Sequence, residues 1–365
     1  MNDNTRQAAT RVAIVGLGHR GRATLSRYMA LDDVRVVALA DLDESNLHAS
    51  LDIISGRDWR PDTYASPYGW QSIAERDDVD LMVICTDWQS HTPIAAYAMR
   101  QGRNVAIEVP AATTIDECRL LVSTAQQTGR TCAMLENCCF DPFHLGTLAL
   151  VQDGSLGEVT HCAGAYIHDL SPDIQNGTYR DSWMPRYVAT HCGNPYPTHG
   201  LGPVCQLLGI DTGDDTLLSV YSAGTAVGGL NHSIITTQRG RTITLDYDVT
   251  TPRPYNRRQT VCGTKGFVEK YPTPTLCMGG TTLTGDDATE AVIAHVPQRF
   301  KEIMQRGEQL AVPNMMNYIM DVCLLRHLQR GDSFPSVRDA ALWSAFGPLT
   351  EESARSGQAV AVPQF

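Results

Sequence analysis

The glycine spacing near the N-terminus constrains the fold of this chain more than any other feature. Val12–Val15 is an apolar run typical of a buried parallel strand, and three glycines in the spacing GxGxxG follow it, Gly16, Gly18 and Gly21. The first glycine permits a tight turn, the second lets the backbone approach a pyrophosphate, and the third allows a helix to pack closely on the strand. The segment therefore predicts the start of a dinucleotide-binding domain, the alternative being a glycine-rich turn that binds no nucleotide.

An acidic residue ends the second predicted strand. That strand, 34–41, finishes at Asp41, about 20 residues after the last glycine, where a carboxylate binds the ribose 2′-hydroxyl in such domains. A carboxylate there repels a 2′-phosphate, so Asp41 favours NAD over NADP as the cofactor. Arg20 lies inside the loop, where it could face a phosphate. The predicted loop contacts to NAD are Gly16, Leu17, Gly18, His19, Arg20 and Gly21.

Strands and helices continue to alternate after the second strand. Strand-like runs at 80–87, 104–110 and 130–138 are separated by helical patterns. This alternation predicts a doubly wound parallel sheet and a Rossmann domain over residues 1–136. Trp88 suits either a cofactor contact or a place in the core. Because ligands bind at the carboxyl ends of such strands, further cofactor contacts are predicted at Thr86, Trp88, His91, Glu108, Val109 and Asn137.

The pattern changes in residues 137–365, the predicted substrate domain. Several strand-like runs follow one another without intervening helices, which predicts an open, mostly antiparallel sheet packed by helices on one face. Helices near 314–330 and 336–356 close the chain. We interpret the polar stretch 172–198 as an active-site loop because it carries three aromatic residues unusual in linkers, Tyr179, Trp183 and Tyr187.

Two small groups of aromatic and basic residues lie on predicted strands or their edges. Tyr166 and His168 are two residues apart, so a strand would present both on one face. Arg253 and Tyr255 form the second group, in a proline-containing run that is also compatible with a strand edge or a bulge. Both groups are candidates for substrate contact.

A third group lies in a predicted turn. Prolines rigidify the chain around Tyr196 and His199, and we interpret Gly200 and Gly202 as leaving room there for a ligand. A His in a turn is also a common structural residue, so the catalytic interpretation of His199 and the structural one both stand on these residues alone.

Composition and charge exclude several classes of partner. The formal net charge of -11 disfavours nucleic acid and anionic membranes, and neither a membrane-spanning run nor a signal-peptide pattern is present, which predicts a cytoplasmic protein. The 11 cysteines form no CxxC pair, and the histidines show no metal-ligand spacing, so we expect reduced thiols and no metal site. An exposed open sheet predicts a homo-oligomer.

The order of these motifs resembles a known family. A GxGxxG domain before a mostly antiparallel sheet resembles the Gfo/Idh/MocA oxidoreductase superfamily of glucose-fructose oxidoreductase and inositol dehydrogenase. In that superfamily the fourth strand usually ends Glu-Lys-Pro with a catalytic Lys, whereas this chain has Glu108-Val109-Pro110. The segments EVPAATTIDEC, ENCC, GAYIHDL, YPTHGLGP, TPRPYN and VAVPQF together resemble glycoside hydrolase family 109, typified by NAD-dependent alpha-N-acetylgalactosaminidases, over Val12–Phe365.

The resemblance implies hydrolysis through a redox cycle with no net redox change. Hydride passes from sugar carbon 3 to NAD, the ketone acidifies the proton on carbon 2, the leaving group departs from carbon 1, water adds, and the hydride returns. The resemblance further implies that His199 handles the 3-hydroxyl proton, although Tyr166 and His199 can still be assigned to the two protons in either order. It implies catalytic roles for His199, Tyr166 and Tyr196, and substrate contacts for Glu136, His168, Trp183, Arg186 and Tyr255.

Two departures from the family leave the sugar open. The family commonly has Trp-Arg where this chain has Trp183-Met184, and a His-Gly-Gly-Met-Asp-Tyr segment where this chain reads PNMMNY at 313–318. Lost polar groups remove hydrogen bonds that fix sugar identity, so a glycoside with an anionic group facing Arg180 or Arg186 is an alternative substrate. A sugar or polyol dehydrogenase and a nucleotide-binding sensor without turnover are the alternative functions.

Overall fold

A parallel sheet forms the N-terminal domain. The computed structural model describes residues 9–175, 183–210, 213, 215–225 and 229–365. Within these ranges the first sheet has the strand order β3-β2-β1-β4-β5-β6, and its neighbouring strands are all parallel. The strands are β1 (Thr10–Val15), β2 (Val34–Ala40), β3 (Asp62–Tyr64), β4 (Leu81–Ile84), β5 (Asn104–Ile107) and β6 (Cys132–Met134). The predicted doubly wound parallel sheet is confirmed.

Helices connect these strands and bury them. β4 and β5 are almost wholly inaccessible, as expected for strands covered on two faces. The capping box of Thr114 and Glu117 starts the helix after β5. The helices are α1 (His19–Tyr28), α2 (Glu44–Ile54), α3 (Gly69–Ala74), α4 (Trp88–Arg100) and α5 (Ile115–Thr128), followed by a short 3-10 helix at Asn137–Phe140.

A mixed sheet dominates the second domain. Its order in the described residues is β14-β13-β12-β11-β7-β10-β9-β8-β15, and β7 pairs with β10 in parallel while the other described neighbours are antiparallel. The mostly antiparallel prediction is confirmed. The strands are β7 (Val159–Ile167), β8 (Leu217–Gly224), β9 (Leu230–Thr237), β10 (Thr242–Asp248), β11 (Asn256–Gly263), β12 (Gly266–Glu269), β13 (Thr275–Met278), β14 (Thr281–Thr284) and β15 (Val360–Ala361).

The helices of this domain pack on its sheet and also contact the first domain. The pair α12 and α13, near the C-terminus, agrees with the predicted closing helices. Arg27 of the first helix pairs with buried Asp321, with 2.8 Å between Nε and Oδ2. The helices are α6 (Pro142–Gln152), α7 (Ser171–Gln175), α8 (Trp183–Thr190), α9 (Thr198–Leu208), α10 (Gly285–Ala294), α11 (Gln298–Gln309), α12 (Met315–Arg330) and α13 (Val337–Ser356). None of the helices in the described ranges is long and apolar enough to cross a membrane.

The prediction of a turn that leaves room for a ligand is wrong from Thr198 onward. Helix α9 begins there, and its glycines serve packing. A Cβ at Gly200 would stand 2.6 Å from the backbone nitrogen of Ala165, and a Cβ at Gly164 would stand 2.3 Å from the carbonyl oxygen of Gly200. At Gly202 a Cβ would meet the Trp343 ring at 3.0 Å. The glycines therefore let α9 lie against β7 instead of opening a cavity.

The stretch 172–198 is also more regular than the loop predicted for it. Helix α8 occupies part of it, and Tyr179 and Arg180 lie outside the described residues. Trp183, Met184, Tyr187 and Val188 recur at helical spacing, and Pro185 falls in the first turn, where a missing N–H does not break a helix. Trp183 and Tyr187 thus belong to an amphipathic helix.

Candidate active site

The glycine loop has the shape of a dinucleotide phosphate cradle. Gly16 has φ of +84°, and a Cβ there would stand 2.6 Å from the carbonyl oxygen of Cys85. A Cβ at Gly21 would collide with the carbonyl oxygen of Gly16 at 1.9 Å, whereas Gly18 faces open space. Helix α1 starts directly after Gly18 with no side-chain cap and no acidic residue in its first turn. Its N-terminal N–H groups thus suit a phosphate, and the residues fit NAD.

The carboxylate of Asp41 lies beside this loop. Its Oδ2 accepts a hydrogen bond from the backbone N–H of Leu17 at 2.5 Å, and its Oδ1 accepts from Asp43 N at 2.8 Å and from Asn46 Nδ2 at 3.1 Å. The fold therefore brings Asp41 to the carboxyl edge of the sheet next to Gly16–Gly18, where a ribose would follow the phosphates.

Arg20 points to a carboxylate at the end of β5. Its Nε lies 3.1 Å from Oε2 of Glu108, which is buried. Glu108 is the main cause that raises the pKa of Arg20, so the guanidinium stays charged. This ion pair connects the glycine loop to the EVP segment, and the next residue, Val109, lines the cavity with an aliphatic side chain that cannot carry a proton.

His91 holds two strand ends together. Its Nδ1 lies 2.8 Å from the carbonyl oxygen of Pro110, and its Nε2 lies 3.1 Å from the carbonyl oxygen of Thr86. Burial lowers the pKa of His91, and because the neutral ring has one N–H it donates to one of these two oxygens and only packs against the other. His91 therefore positions the ends of β4 and β5, in addition to lining the cavity.

Trp88 is buried and also lines the cavity, and its contact with the cofactor stays a prediction. Its ring centroid lies 4.6 Å from that of Trp183, 5.1 Å from Tyr187 and 5.7 Å from Tyr196. These contacts join the first domain to α8 and to the segment before α9. The result is an aromatic corner at the edge of the cavity.

A cavity of about 770 Å³ lies between the glycine loop and the second sheet. Most of the predicted site residues line this cavity. Gly16, Leu17, Gly21 and Asp41 belong to the glycine loop and its surroundings but are not in the lining, and Glu136 lies behind His199. The predicted residues in the lining are Gly18, His19, Arg20, Thr86, Trp88, His91, Glu108, Val109, Asn137, Tyr166, His168, Trp183, Tyr196, His199 and Tyr255.

Arg186 is not part of this lining, so its predicted substrate contact is not supported by the structure. It lies on α8, exposed, whereas Trp183, Met184 and Val188 on the same helix face the cavity. The physical reason is helical periodicity: Met184 and Val188, four residues apart, share one face of α8, and Arg186, two residues from each, projects from the other side. The Arg186 side chain is therefore not placed to pair with an anionic substrate group inside the cavity.

A buried ion pair lies in the wall of the cavity, where His199 lines it and Glu136 lies behind. Nδ1 of His199 is 2.8 Å from Oε1 and 2.9 Å from Oε2 of Glu136, which has no exposed surface and also accepts the Cys138 N–H at 3.1 Å. Burial lowers the pKa of His199, but the adjoining Cys138 thiol and the Glu136 carboxylate outweigh it and raise the pKa to about 10. Burial likewise opposes ionisation of Glu136, yet His199 holds its pKa below the usual range.

A second hydrogen-bonded pair, Tyr166 and His168, lies beside His199. The Tyr166 hydroxyl oxygen is 2.9 Å from Nδ1 of His168, as expected for two residues on one strand face. Burial lowers the pKa of His168, so its neutral ring can accept the phenol proton. The Tyr166 ring lies 5.6 Å from that of His199 and 4.5 Å from Tyr196, and Tyr255 packs edge-on against His168 at 5.3 Å. The three predicted groups therefore converge.

Several lining residues were not predicted as site residues. Asn314, Met316 and Asn317 come from the start of α12, where Asn314 caps the helix, and Asn137 donates to Oδ1 of Asn317 at 2.6 Å. The Asn before the Met315–Arg330 helix is an N-cap signal that locates a helix end, but nothing local indicates that this end faces the cofactor domain.

Glu136, Cys138 and His199 also form a group that could hold a metal ion. Their potential ligand atoms lie within 4.8 Å of one another, and all three residues are buried. Metal-ligand spacing could not reveal this group, because Glu136 and His199 are far apart in sequence. The direct hydrogen bond between them occupies the Nδ1 and carboxylate atoms that a metal would need. That no metal is bound remains a prediction.

Comparison with known proteins agrees with this geometry. The family model described as "Oxidoreductase family, NAD-binding Rossmann fold" matches residues 10–136, and the one described as "Glycosyl hydrolase 109, C-terminal domain" matches 143–234 and 225–365. "Glycosyl hydrolase family 109 protein 2" of Phocaeicola vulgatus is 44% identical over 390 residues, covering 97% of this chain and 94% of that protein. The "Alpha-N-acetylgalactosaminidase" of Bacteroides fragilis is 43% identical over 389 residues, covering 97% and 91%.

Solved structures share the fold at lower identity. Levoglucosan dehydrogenase in complex with NADH and levoglucosan has a TM-score of 0.76 at 16% identity, covering 98% of this chain and 100% of that chain. An inositol dehydrogenase homolog complexed with NAD+ from Azotobacter vinelandii has a TM-score of 0.74 at 17% identity, covering 97% of each chain. These structures show the architecture, and the family follows from the sequence relatives. The chain belongs to glycosyl hydrolase family 109, with an NAD-binding Rossmann domain in front of that family's C-terminal domain.

Proposed function

We propose that this protein is an NAD-dependent glycosidase that breaks the glycosidic bond by transient oxidation at sugar carbon 3, elimination, water addition and reduction. The observation that carries the proposal is the convergence of the Glu136–His199 and Tyr166–His168 pairs on one cavity with the glycine loop. The curated relative named "Alpha-N-acetylgalactosaminidase" supports N-acetylgalactosaminides as the first substrates to test.

NAD, held by Gly16–Gly21 and with its ribose on Asp41, would supply the acceptor and donor of hydride for carbon 3. His199 takes the proton of the 3-hydroxyl. Because Nδ1 is committed to Glu136, Nε2 is the ring nitrogen that can face the substrate. The carboxylate fixes the tautomer and stabilises the imidazolium that forms, as an acid does for a catalytic His in other enzymes.

Tyr166 handles the proton on carbon 2. A ketone at carbon 3 acidifies that proton, and the Tyr166 hydroxyl is already hydrogen-bonded to neutral His168, which can receive the phenol proton. The resulting enolate expels the leaving group from carbon 1. Burial and the neighbouring Tyr166 hold the pKa of Tyr196 well above its ordinary value, so Tyr196 stays a phenol and acts as a hydrogen-bond donor.

Direct displacement at carbon 1 fits the cavity less well. The carboxylates among its described lining residues are Glu108 and Asp173, and Glu108 is held by Arg20. Ordinary glycosidases need one carboxylic acid and one free carboxylate on opposite sides of the bond. The described lining therefore presents proton-transfer groups suited to elimination.

One assay tests the proposed function. Nitrophenyl glycosides, beginning with the alpha-N-acetylgalactosaminide, are incubated with protein with and without added NAD, and nitrophenol and NADH are followed together. We expect nitrophenol release that requires bound NAD and leaves no net NADH, because the hydride returns in each cycle. Stoichiometric accumulation of NADH with a stable oxidised sugar would instead identify a sugar or polyol dehydrogenase.

The Glu136–His199 pair predicts a specific pH dependence. The charged form of His199 cannot accept a proton, and its pKa is raised to about 10, so kcat/KM should rise with pH on the alkaline side of neutrality. Glu136→Gln removes the charge that favours the imidazolium, so the pKa of His199 falls, by about 1–3 units for an opposite charge at this distance. The midpoint of the rise should move to lower pH while the plateau falls, because the forming imidazolium loses its partner.

The pH profile of kcat/KM for wild type and Glu136→Gln measures both effects. Glu117→Gln serves as a matched control, because Glu117 is a carboxylate outside the cavity lining that caps α5. Its midpoint should stay at the wild-type pH. An unchanged midpoint in Glu136→Gln would assign the titration to another group.

A further inference from the structure

Part of the cavity is lined by an apolar cluster that is separate from the main core. Leu170, Tyr247 and Val249 are buried against one another, and Met184 and Val188 of α8 pack on them. All five side chains line the cavity, and we call them the apolar wall. The wall is built from residues at the ends of β7 and β10 and from one face of α8.

The backbone holds this wall in place. The N–H of Leu170 donates to the carbonyl oxygen of Val249 at 3.2 Å, continuing the parallel pairing of β7 and β10. Met184 and Val188 are four residues apart on α8, so they face the same side. The wall is therefore a formed surface of the cavity.

The wall lies next to the proton-transfer groups without taking part in them. The Tyr247 ring stacks on Tyr166 at a centroid distance of 6.3 Å and an angle of 20°, and Tyr166 is the residue hydrogen-bonded to His168. The aliphatic members carry no group that can move a proton.

The chemistry of the wall selects what lies against it. Sugar hydroxyls placed on aliphatic side chains lose hydrogen bonds to water and gain none, which is unfavourable. Amide groups that can satisfy hydroxyls occur elsewhere in the lining, at Asn137, Asn314 and Asn317. A hydroxylated ring thus suits the amide-bearing part, and a hydrocarbon group suits the wall.

We propose that the apolar wall binds a hydrocarbon group of the substrate and that Met184 and Val188 set the preference for it. The proposal rests on the proposed function in taking the substrate to be a glycoside. The hydrocarbon can come from the leaving group or from an acyl substituent on the sugar, and two substrate series distinguish these sources.

The first series varies the leaving group and the second varies the acyl group. Methyl, propyl, butyl and hexyl alpha-N-acetylgalactosaminides are compared with methyl galactosaminides carrying N-acetyl, N-butanoyl and N-hexanoyl groups. Calorimetry on the NADH-saturated protein, which cannot start the oxidation, gives dissociation constants, and kcat/KM is measured in parallel on the NAD-saturated protein. A fully buried methylene improves affinity about fourfold, so hexyl should bind on the order of a hundredfold more tightly than methyl if three to four methylenes are covered.

Substitutions on α8 test whether the dependence of affinity on chain length arises from the apolar wall. Met184→Gln keeps the length of the side chain and adds a polar end, and Val188→Thr keeps its shape and adds a hydroxyl. Each should flatten the dependence on chain length, whereas Met184→Leu, the matched apolar control, should retain it. Comparing hexyl with methyl within each variant removes any general loss of activity from the comparison.

The outcomes separate this inference from the proposed function. If affinity rises with chain length in the first series, the leaving group binds the wall. If it rises in the second series, the acyl group binds there. Either result supports the proposal. A calorimetric trend without hydrolysis supports the wall while contradicting the glycosidase. Flat series in binding, or a trend that persists in both Met184→Gln and Val188→Thr, would overturn the proposal even if hydrolysis occurs.

Discussion

His199→Ala is expected to lower turnover about 100- to 10,000-fold, the usual contribution of a general acid or base. The side chain removed is the one whose Nδ1 is held by buried Glu136 and whose ring lies 5.6 Å from Tyr166. NAD content should be unchanged, because the described hydrogen bonds of the glycine loop and Asp41 do not involve His199. Steady-state kinetics and analysis of nucleotide released on denaturation measure the two effects.

The same substitution also leaves Glu136 without its partner. Removing one member of a buried ion pair typically destabilises a protein by about 3–5 kcal/mol. The double variant His199→Ala with Glu136→Gln removes the orphaned charge, so it should recover stability without recovering activity. Thermal unfolding of both variants therefore separates a folding defect from a catalytic one.

A surface histidine provides the matched control. His48 lies exposed on α2, outside the cavity lining, and His48→Ala should stay within about twofold of wild-type activity, as surface substitutions usually do. If His199→Ala also stayed within a few-fold of wild type, His199 would have no part in the proposed proton transfer.

Turnover in heavy water is expected to place deuterium at carbon 2 of the product sugar. Oxidation at carbon 3 makes the carbon 2 proton removable, and after elimination that position regains a proton from a group in exchange with solvent. Tyr166, hydrogen-bonded to His168, is the group assigned to this transfer. Mass spectrometry and proton NMR of the released sugar measure the incorporation, which direct displacement does not produce.

Three further measurements sharpen this result. Substrate deuterated at carbon 2 or carbon 3 should react more slowly unless product release limits the rate. Thioglycosides should also be cleaved, because elimination does not require strong protonation of the leaving atom. Product sugar incubated with the protein in heavy water controls for exchange after hydrolysis. Product released without deuterium at carbon 2 would falsify the redox mechanism for any sugar.

Much of the fold could be predicted because its signals are local. The GxGxxG spacing after Val12–Val15 and the alternation of strands and helices define the parallel sheet, and the absence of helices between later strands indicates the second sheet. Tyr166 and His168 were placed on one face by strand periodicity alone, and the 2.9 Å hydrogen bond between them agrees.

Other parts of the site depend on long-range packing. The resemblance assigned Glu136 and His199 separately, but the contact between them requires α9 to lie against the 3-10 helix that starts at Asn137. Tyr247 and Val249 reach the cavity because β10 pairs in parallel with β7, a register that no local pattern reveals. Arg186 lies outside the described cavity lining because the stretch predicted as a loop forms helix α8, and its substrate contact stays a prediction.

The close approach of Gly164 and Gly200 separates the chemistry from substrate choice. It brings the backbones of β7 and α9 together, so the main chain sets how closely the two elements that carry Tyr166 and His199 approach. The apolar wall belongs mostly to other elements, the ends of β7 and β10 and helix α8. Exchanging the aliphatic wall residues and Met184 while keeping Tyr247, which stacks on Tyr166, therefore offers a route to new leaving groups or sugar substituents with the proton-transfer elements left in place.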